Sequence, residues 1–232
     1  MRISGVQKLT LLDYPGHIAA TIFTPGCDLR CPFCHNSDLV NDSLDLEYYE
    51  DEVLDFLRTR TGKLSGVAIT GGEPLMQPDI ADFIKKVRAL GLKVKLDTNG
   101  TYPEKLASLI DDGFLDYIAM DVKNSPASWA KTVGVNNAAA LFNKTLQSME
   151  IIKNSGVDYE FRTTIVKQLH SLEDMDGLGL LVKGSPKYFL QNFTDSGAIL
   201  EDGYSAWDKE TLLAMLEVIK KYVPGAELRG VD

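Results

Sequence analysis

The sequence is short of cysteine, of positive charge and of long apolar runs, and each shortage excludes something. Three cysteines occur among 232 residues, all between positions 27 and 34. An odd, clustered set cannot form a disulfide framework, and in an intracellular chain it points to metal binding or catalysis. Lysine and arginine number 24 against 33 acidic residues, for a formal net charge of −9. Because nucleic-acid binding needs a basic face that displaces counterions, and the lysines here are dispersed, a nucleic-acid partner is excluded. Among the longest apolar stretches is Ile18–Phe23, interrupted by Thr21, far short of the roughly 20 residues that cross a bilayer. The N-terminus MRISGVQKLTLLDYPG lacks the unbroken apolar core of a signal peptide. A cytoplasmic location with no membrane partner is therefore expected.

What the chain has is regular alternation. Apolar, β-branched segments at Ala19–Thr24, Val67–Thr70, Lys93–Asp97, Tyr117–Asp121, Asp158–Ile165 and Tyr188–Gln191 read as strands. Helical periodicity follows each, over Leu46–Thr59, Ile80–Leu90, Pro103–Asp111, Ala138–Asn154, Leu172–Val182 and Lys209–Tyr222. In the second of these, Phe83, Val87 and Leu90 share one apolar face, and Gly91 follows as a stop. Six strand–helix units imply an α/β fold with a parallel sheet and right-handed crossovers. A barrel and an open doubly wound sheet both satisfy that pattern. Polar, glycine-containing segments such as TGGEP, DTNG and MDVK end several strands, as in barrels, rather than gathering at one switch point. The expectation is a partial (β/α)6 TIM-like barrel in a single domain of residues 1–232. Residues 1–16 form a lead-in strand or hairpin, 17–222 the barrel and 223–232 a tail, and Asn124–Asn137 is an irregular connection.

Cys27, Cys31 and Cys34 have the spacing C-x3-C-x2-C on a loop directly after the first barrel strand. Soft thiolates at short intervals suit zinc or an iron–sulfur cluster. Zinc needs a fourth ligand, for which His35 is the nominee, but structural zinc sites draw ligand pairs from separated segments. A four-iron cluster held by three thiolates leaves one iron open to another ligand, the arrangement of a catalytic rather than a closed site.

This motif, with Phe33 before the last cysteine, resembles the signature of the radical S-adenosylmethionine (SAM) superfamily. The resemblance implies a full or partial β/α barrel, a [4Fe-4S] cluster on the three cysteines, and SAM bound at the open iron and cleaved to a 5′-deoxyadenosyl radical. It further implies that Phe33 and His35 contact the adenine end of SAM. Thr70-Gly71-Gly72-Glu73-Pro74 resembles the family's GGEP motif, so Gly71, Gly72 and Glu73 are expected at the amino group of SAM. By similarity to pyruvate formate-lyase activases, Asp97 and Asp121, with the carbonyls of Thr98 and Ala119, would hold a monovalent cation beside the SAM carboxylate. The other reading of Asp121 is a pair with Lys123, its neighbour on the same strand face. Arg162, a charge on a mostly apolar strand, requires a partner, and the resemblance supplies the SAM carboxylate or ribose. Gln191 and Asn192 stand where some relatives place a histidine, a departure from the family pattern. His17 and His170 read as surface or loop residues.

Over nearly the whole chain, and most closely at GVQKLTLLDYPGHIAATIFTPGCDLRCPFCHN, the sequence looks like the activating proteins of anaerobic ribonucleoside-triphosphate reductase. The implied partners are that glycyl-radical enzyme and an electron donor of the flavodoxin or ferredoxin type. One alternative is a small-molecule radical SAM enzyme such as 7-carboxy-7-deazaguanine synthase. A second is a noncatalytic zinc or cluster-binding module.

Overall fold

The computed structural model describes residues 1–41, 48–195 and 197–231. Its frame is one eight-stranded sheet whose spatial order follows the chain, from β1 (Gly5–Thr10) through β2 (Ala19–Thr24), β3 (Gly66–Gly71), β4 (Lys93–Thr98), β5 (Tyr117–Asp121), β6 (Asp158–Ile165) and β7 (Tyr188–Asn192) to β8 (Glu227–Arg229). From β2 to β8 every pairing is parallel, while β1 runs antiparallel to β2, with Gly5 opposite Phe23. Each new strand adds on the same side of the last, so no switch point arises and right-handed crossovers place the long helices on one face. The sheet is open, with β1 and β8 as its edges. The expected partial barrel is thus present, β1 is the expected lead-in strand, and the segment expected as a tail adds the further edge strand β8.

The helices are α1 (Ser37–Val40), α2 (Glu50–Thr59), α3 (Ile80–Ala89), α4 (Pro103–Asp111), α5 (Trp129–Val133), α6 (Ala138–Asn154), α7 (Asp174–Val182) and α8 (Lys209–Lys220). Four expected helices are shorter than their periodicity, α3 by the single residue Leu90 at its C-terminal end. α2 begins at Glu50, and Leu46 and Glu47 of its expected start lie outside the described residues. α7 begins two residues late because the chain before it closes a tighter turn, with Asp174 N–H donating to Ser171 O at 3.1 Å and Met175 N–H to Leu172 O at 3.2 Å. α8 stops at Lys220. The connection Asn124–Asn137, expected to be irregular, contains α5, whose Trp129 is 2% exposed.

Strand alternation divides the sheet into two faces. Val67, Ile69, Val94, Leu96, Ile118, Met120, Phe161 and Leu190 pack under the helices with Phe83, Ile84, Leu106 and Leu216. Each such side chain contributes about 1.5–3 kcal/mol on burial. The alternate positions form the concave face, and there β4 to β6 carry Lys95, Asp97, Asp121, Glu160 and Arg162. Among the described residues, no helix is long and apolar enough to cross a membrane.

Candidate active site

The cysteines occupy the loop from β2 to α1, which the backbone pins at several points. Gly26 N–H donates to Leu39 O at 2.7 Å, Arg30 N–H to Val133 O at 2.9 Å, and the Arg30 guanidinium to Cys27 O and Leu29 O. Beneath the loop lies a second apolar cluster in which Leu29, Cys31 and Phe33 meet Trp129, Val133, Leu141, Val166 and Phe193. α5 therefore braces the cysteine loop, a function the sequence did not disclose because five residues are too few for helical periodicity to register. All three thiols are free. Burial pushes Cys27 up to about 12 and Cys31 up to about 11, the latter opposed by the nearby Lys123 ammonium. A metal bound there must displace protons.

At the end of β3, the two glycines serve a close approach between backbones. Gly71 has φ +120°, and a Cβ on it would lie 2.4 Å from Thr24 O; one on Gly72 would lie 1.9 Å from Gly26 O. Gly72 N–H donates to Thr24 O at 2.9 Å and Glu73 N–H to Gly26 O at 2.7 Å, locking β3 against the cysteine loop. Asn36 closes the same contact by donating to Gly71 O at 3.0 Å. Glu73 is fully buried. Its carboxylate accepts from Leu75 N–H at 3.1 Å, the Thr98 hydroxyl at 2.8 Å and Asn99 N–H at 2.7 Å. Burial raises its pKa to about 7 against these bonds. The side chain expected to meet a ligand's ammonium is spent on fastening the end of β4.

Along the concave face runs a chain of alternating charge. Lys95 pairs with Asp97, Asp97 with Arg162 at 3.2 Å, Arg162 with Asp121 at 2.6 Å, and Asp121 with Lys123 at 2.9 Å. The partner that Arg162 required is thus a pair of carboxylates, and the Asp121–Lys123 pair is present. Although burial works to raise it, the carboxyl of Asp121 is held far below its usual range by Arg162 and then Lys123, and Asp97 is lowered by Arg162 and then Lys95. Lys123 is raised despite its burial, by Asp121 first and then Cys31. Lys95 is 2% exposed and was not singled out by sequence, where it reads as one more charge on a strand.

Two further residues were missed. Asn99, which Asn-Gly marks as a turn former, donates its amide to Asp28 at 3.0 Å and to Cys27 Sγ at 3.7 Å. Phe193, after β7, stacks on His35 with ring centroids 5.6 Å apart and meets Phe33 edge-on at 6.4 Å. His170 sits in a loop, as expected, but it is 1% exposed, and its Nε2 is 2.9 Å from Lys123 O, where it steadies the end of β5.

One cavity joins these parts. It is lined by Cys27, Cys31, Cys34, Phe33, His35 and Asn36 from the loop, Thr70, Gly71 and Gly72 from β3, Asp97, Thr98 and Asn99 from β4, and Asp121, Lys123, Arg162 and Thr164 beyond. Glu73, Gln191 and Asn192 are absent from that lining. Among the described residues, no three His, Cys, Asp or Glu side chains converge on a point where one metal ion would bind. The cavity presents soft donors at one wall and fixed cations at the other.

The sequence model of the radical SAM superfamily matches residues 21–176. A Methanocaldococcus jannaschii protein, assigned by name alone as a glycyl-radical enzyme activating enzyme, is 31% identical over 99% of this chain and 96% of its own. The pyruvate formate-lyase-activating enzyme of Clostridium pasteurianum is 30% identical over 78% of this chain and 76% of its own. In fold, a radical SAM methyltransferase from Sphaerobacter thermophilus is similar with a TM-score of 0.72 at 15% identity, over 93% of this chain and 67% of that one.

Proposed function

The chain belongs to the radical SAM superfamily and, within it, to the glycyl-radical-enzyme activating enzymes, and from that premise we propose that it cleaves SAM reductively to remove a hydrogen from a glycine Cα of a partner enzyme. Three free thiols in one cavity, facing glycine-shaped backbone and the half-buried cations Lys123 and Arg162, carry this reading. Cys27, Cys31 and Cys34 would hold a [4Fe-4S] cluster. The donor chemistry fits: the thiols are soft, they do not crowd around a single ion as zinc requires, and no fourth cysteine exists to close the cluster. When bound and reduced, the cluster supplies one electron to the sulfonium of SAM, breaking its S–C5′ bond.

The chain's own residues bind and orient. Lys123 and Arg162 place fixed positive charge for the SAM carboxylate, and Asp97 and Asp121 hold them in position. Gly71 and Gly72 bring the β3 backbone to the cysteine loop, offering carbonyls to the SAM ammonium. Phe33 and His35, oriented by Phe193, face the adenine end, and Thr98 and Asn99 fix the remaining wall through Glu73. The partner we assign is anaerobic ribonucleotide reductase, whose glycine suits the chemistry because a glycyl Cα radical is planar and delocalised over two amides. A flavodoxin or ferredoxin in the reducing cytoplasm would provide the electron.

Anaerobic reconstitution, reduction with dithionite and addition of SAM should release 5′-deoxyadenosine, and the reductase should then develop a glycyl doublet in electron paramagnetic resonance. No 5′-deoxyadenosine from an iron-loaded sample overturns the reading. 5′-Deoxyadenosine without a doublet in any glycyl-radical enzyme transfers the activity to a small-molecule substrate.

A further inference from the structure

The family resemblance implies a monovalent cation between Asp97 and Asp121, and the residues present do not fit one. Each oxygen of both carboxylates already accepts from a cationic side chain: Asp97 from Lys95 and Arg162, Asp121 from Arg162 and Lys123. Three cations face two carboxylates, a surplus of one positive charge. An alkali ion added there would raise the surplus to two where little water screens it. Lys95 decides the balance. It shares a strand face with Asp97, two residues apart, its side chain is 3% exposed, and it lies between the small Ala68 on β3 and Tyr117 on β5, with its alkyl stem buried.

We propose that the Lys95 ammonium, through its contact with Asp97, supplies in this chain the positive charge that an alkali cation would supply in relatives, so that SAM binding is independent of potassium and sodium; the proposal rests on the reading of the cavity as a SAM site. A tethered ammonium carries the same charge as the ion, needs no capture from solution, and keeps Asp97 aligned on Arg162.

The test compares SAM affinity of the cluster-loaded protein, by equilibrium dialysis, in potassium, sodium and tetramethylammonium buffers of equal ionic strength. Tetramethylammonium is too bulky to replace an alkali ion. For the unaltered protein, affinity should agree across the three salts within about twofold; a rise of about tenfold in potassium or sodium, equivalent to one close charge contact, overturns the proposal. In Lys95→Met, affinity should fall about tenfold in tetramethylammonium and recover when potassium or sodium is supplied. A variant indifferent to salt, whether as tight as the parent or uniformly weaker, overturns it too. The cluster-free protein gives an independent reading: its melting temperature should ignore the choice of salt, and that of Lys95→Met should rise with potassium or sodium over tetramethylammonium. If no SAM binds in any salt, the cofactor reading fails by itself, and the melting comparison still judges Lys95.

Discussion

At Glu73, three donors converge on one carboxylate that water does not reach. Glu73→Gln replaces an acceptor oxygen with an N–H2 group, which leaves one buried donor facing another. Urea unfolding should show a loss of about 1–3 kcal/mol, the cost of one unsatisfied buried group. Burial raises the folded pKa of Glu73 to about 7, above its ordinary 4.5. Its contribution to stability is therefore complete below pH 4.5 and is lost as pH rises through 7. Unfolding free energies measured from pH 4.5 to 8 should fall in the parent protein, and Glu73→Gln should lack that component. The cysteine triplet announces its chemistry by count and spacing, whereas Asn99 and Phe193 do not, since each acquires its role from a neighbour far away in the chain, and Lys95, although two residues from its partner Asp97, reads as one more charge on a strand.

Elements were legible where periodicity had length to express itself. β2, β5, β6, α4 and α6 keep the bounds their patterns imply, because alternation or an apolar stripe extends over five residues or more. The short α5 and the three-residue β8 escaped, since neither spans enough residues to show a period, and both are defined by what they cover. β8 closes the β7 edge, and its Arg229 donates to both oxygens of Glu160, at 2.8 and 3.1 Å, while Tyr117 donates to the same carboxylate at 2.9 Å. Arg229→Ala strips a buried carboxylate of its charge partner. Because the Arg229 side chain is 36% exposed, water softens the loss, and about 2 kcal/mol is expected, below the 3–5 typical of breaking a fully buried pair. A circular-dichroism melt with unchanged folded-state spectra would check it; a shift within error would show that Tyr117 alone suffices for Glu160.

For the whole molecule, the charge chain on the concave face fixes the acid limit of stability. Asp97 and Asp121 have folded pKa values below 3.8 because Arg162, Lys95 and Lys123 stand against them. Their contribution is present above pH 3.8 and disappears as pH falls through the folded values. Denaturation monitored from pH 5 to 2 should be less steep in Asp121→Asn than in the parent, with lower stability at pH 5; equal slopes would mean that the pair is not what acid disrupts. The sequence by itself determined the parallel α/β frame, the strand ends as the working face and the cysteine loop as its centre, because strand alternation, helix periodicity and ligand spacing are local properties of the chain. Only the tertiary structure decided that Glu73 fastens the β4 end, that α5 and Phe193 brace the loop, and that Arg162 joins Asp97 to Asp121. Those roles depend on which side chains meet across the concave face, and no local pattern encodes a distance between residues far apart in the chain.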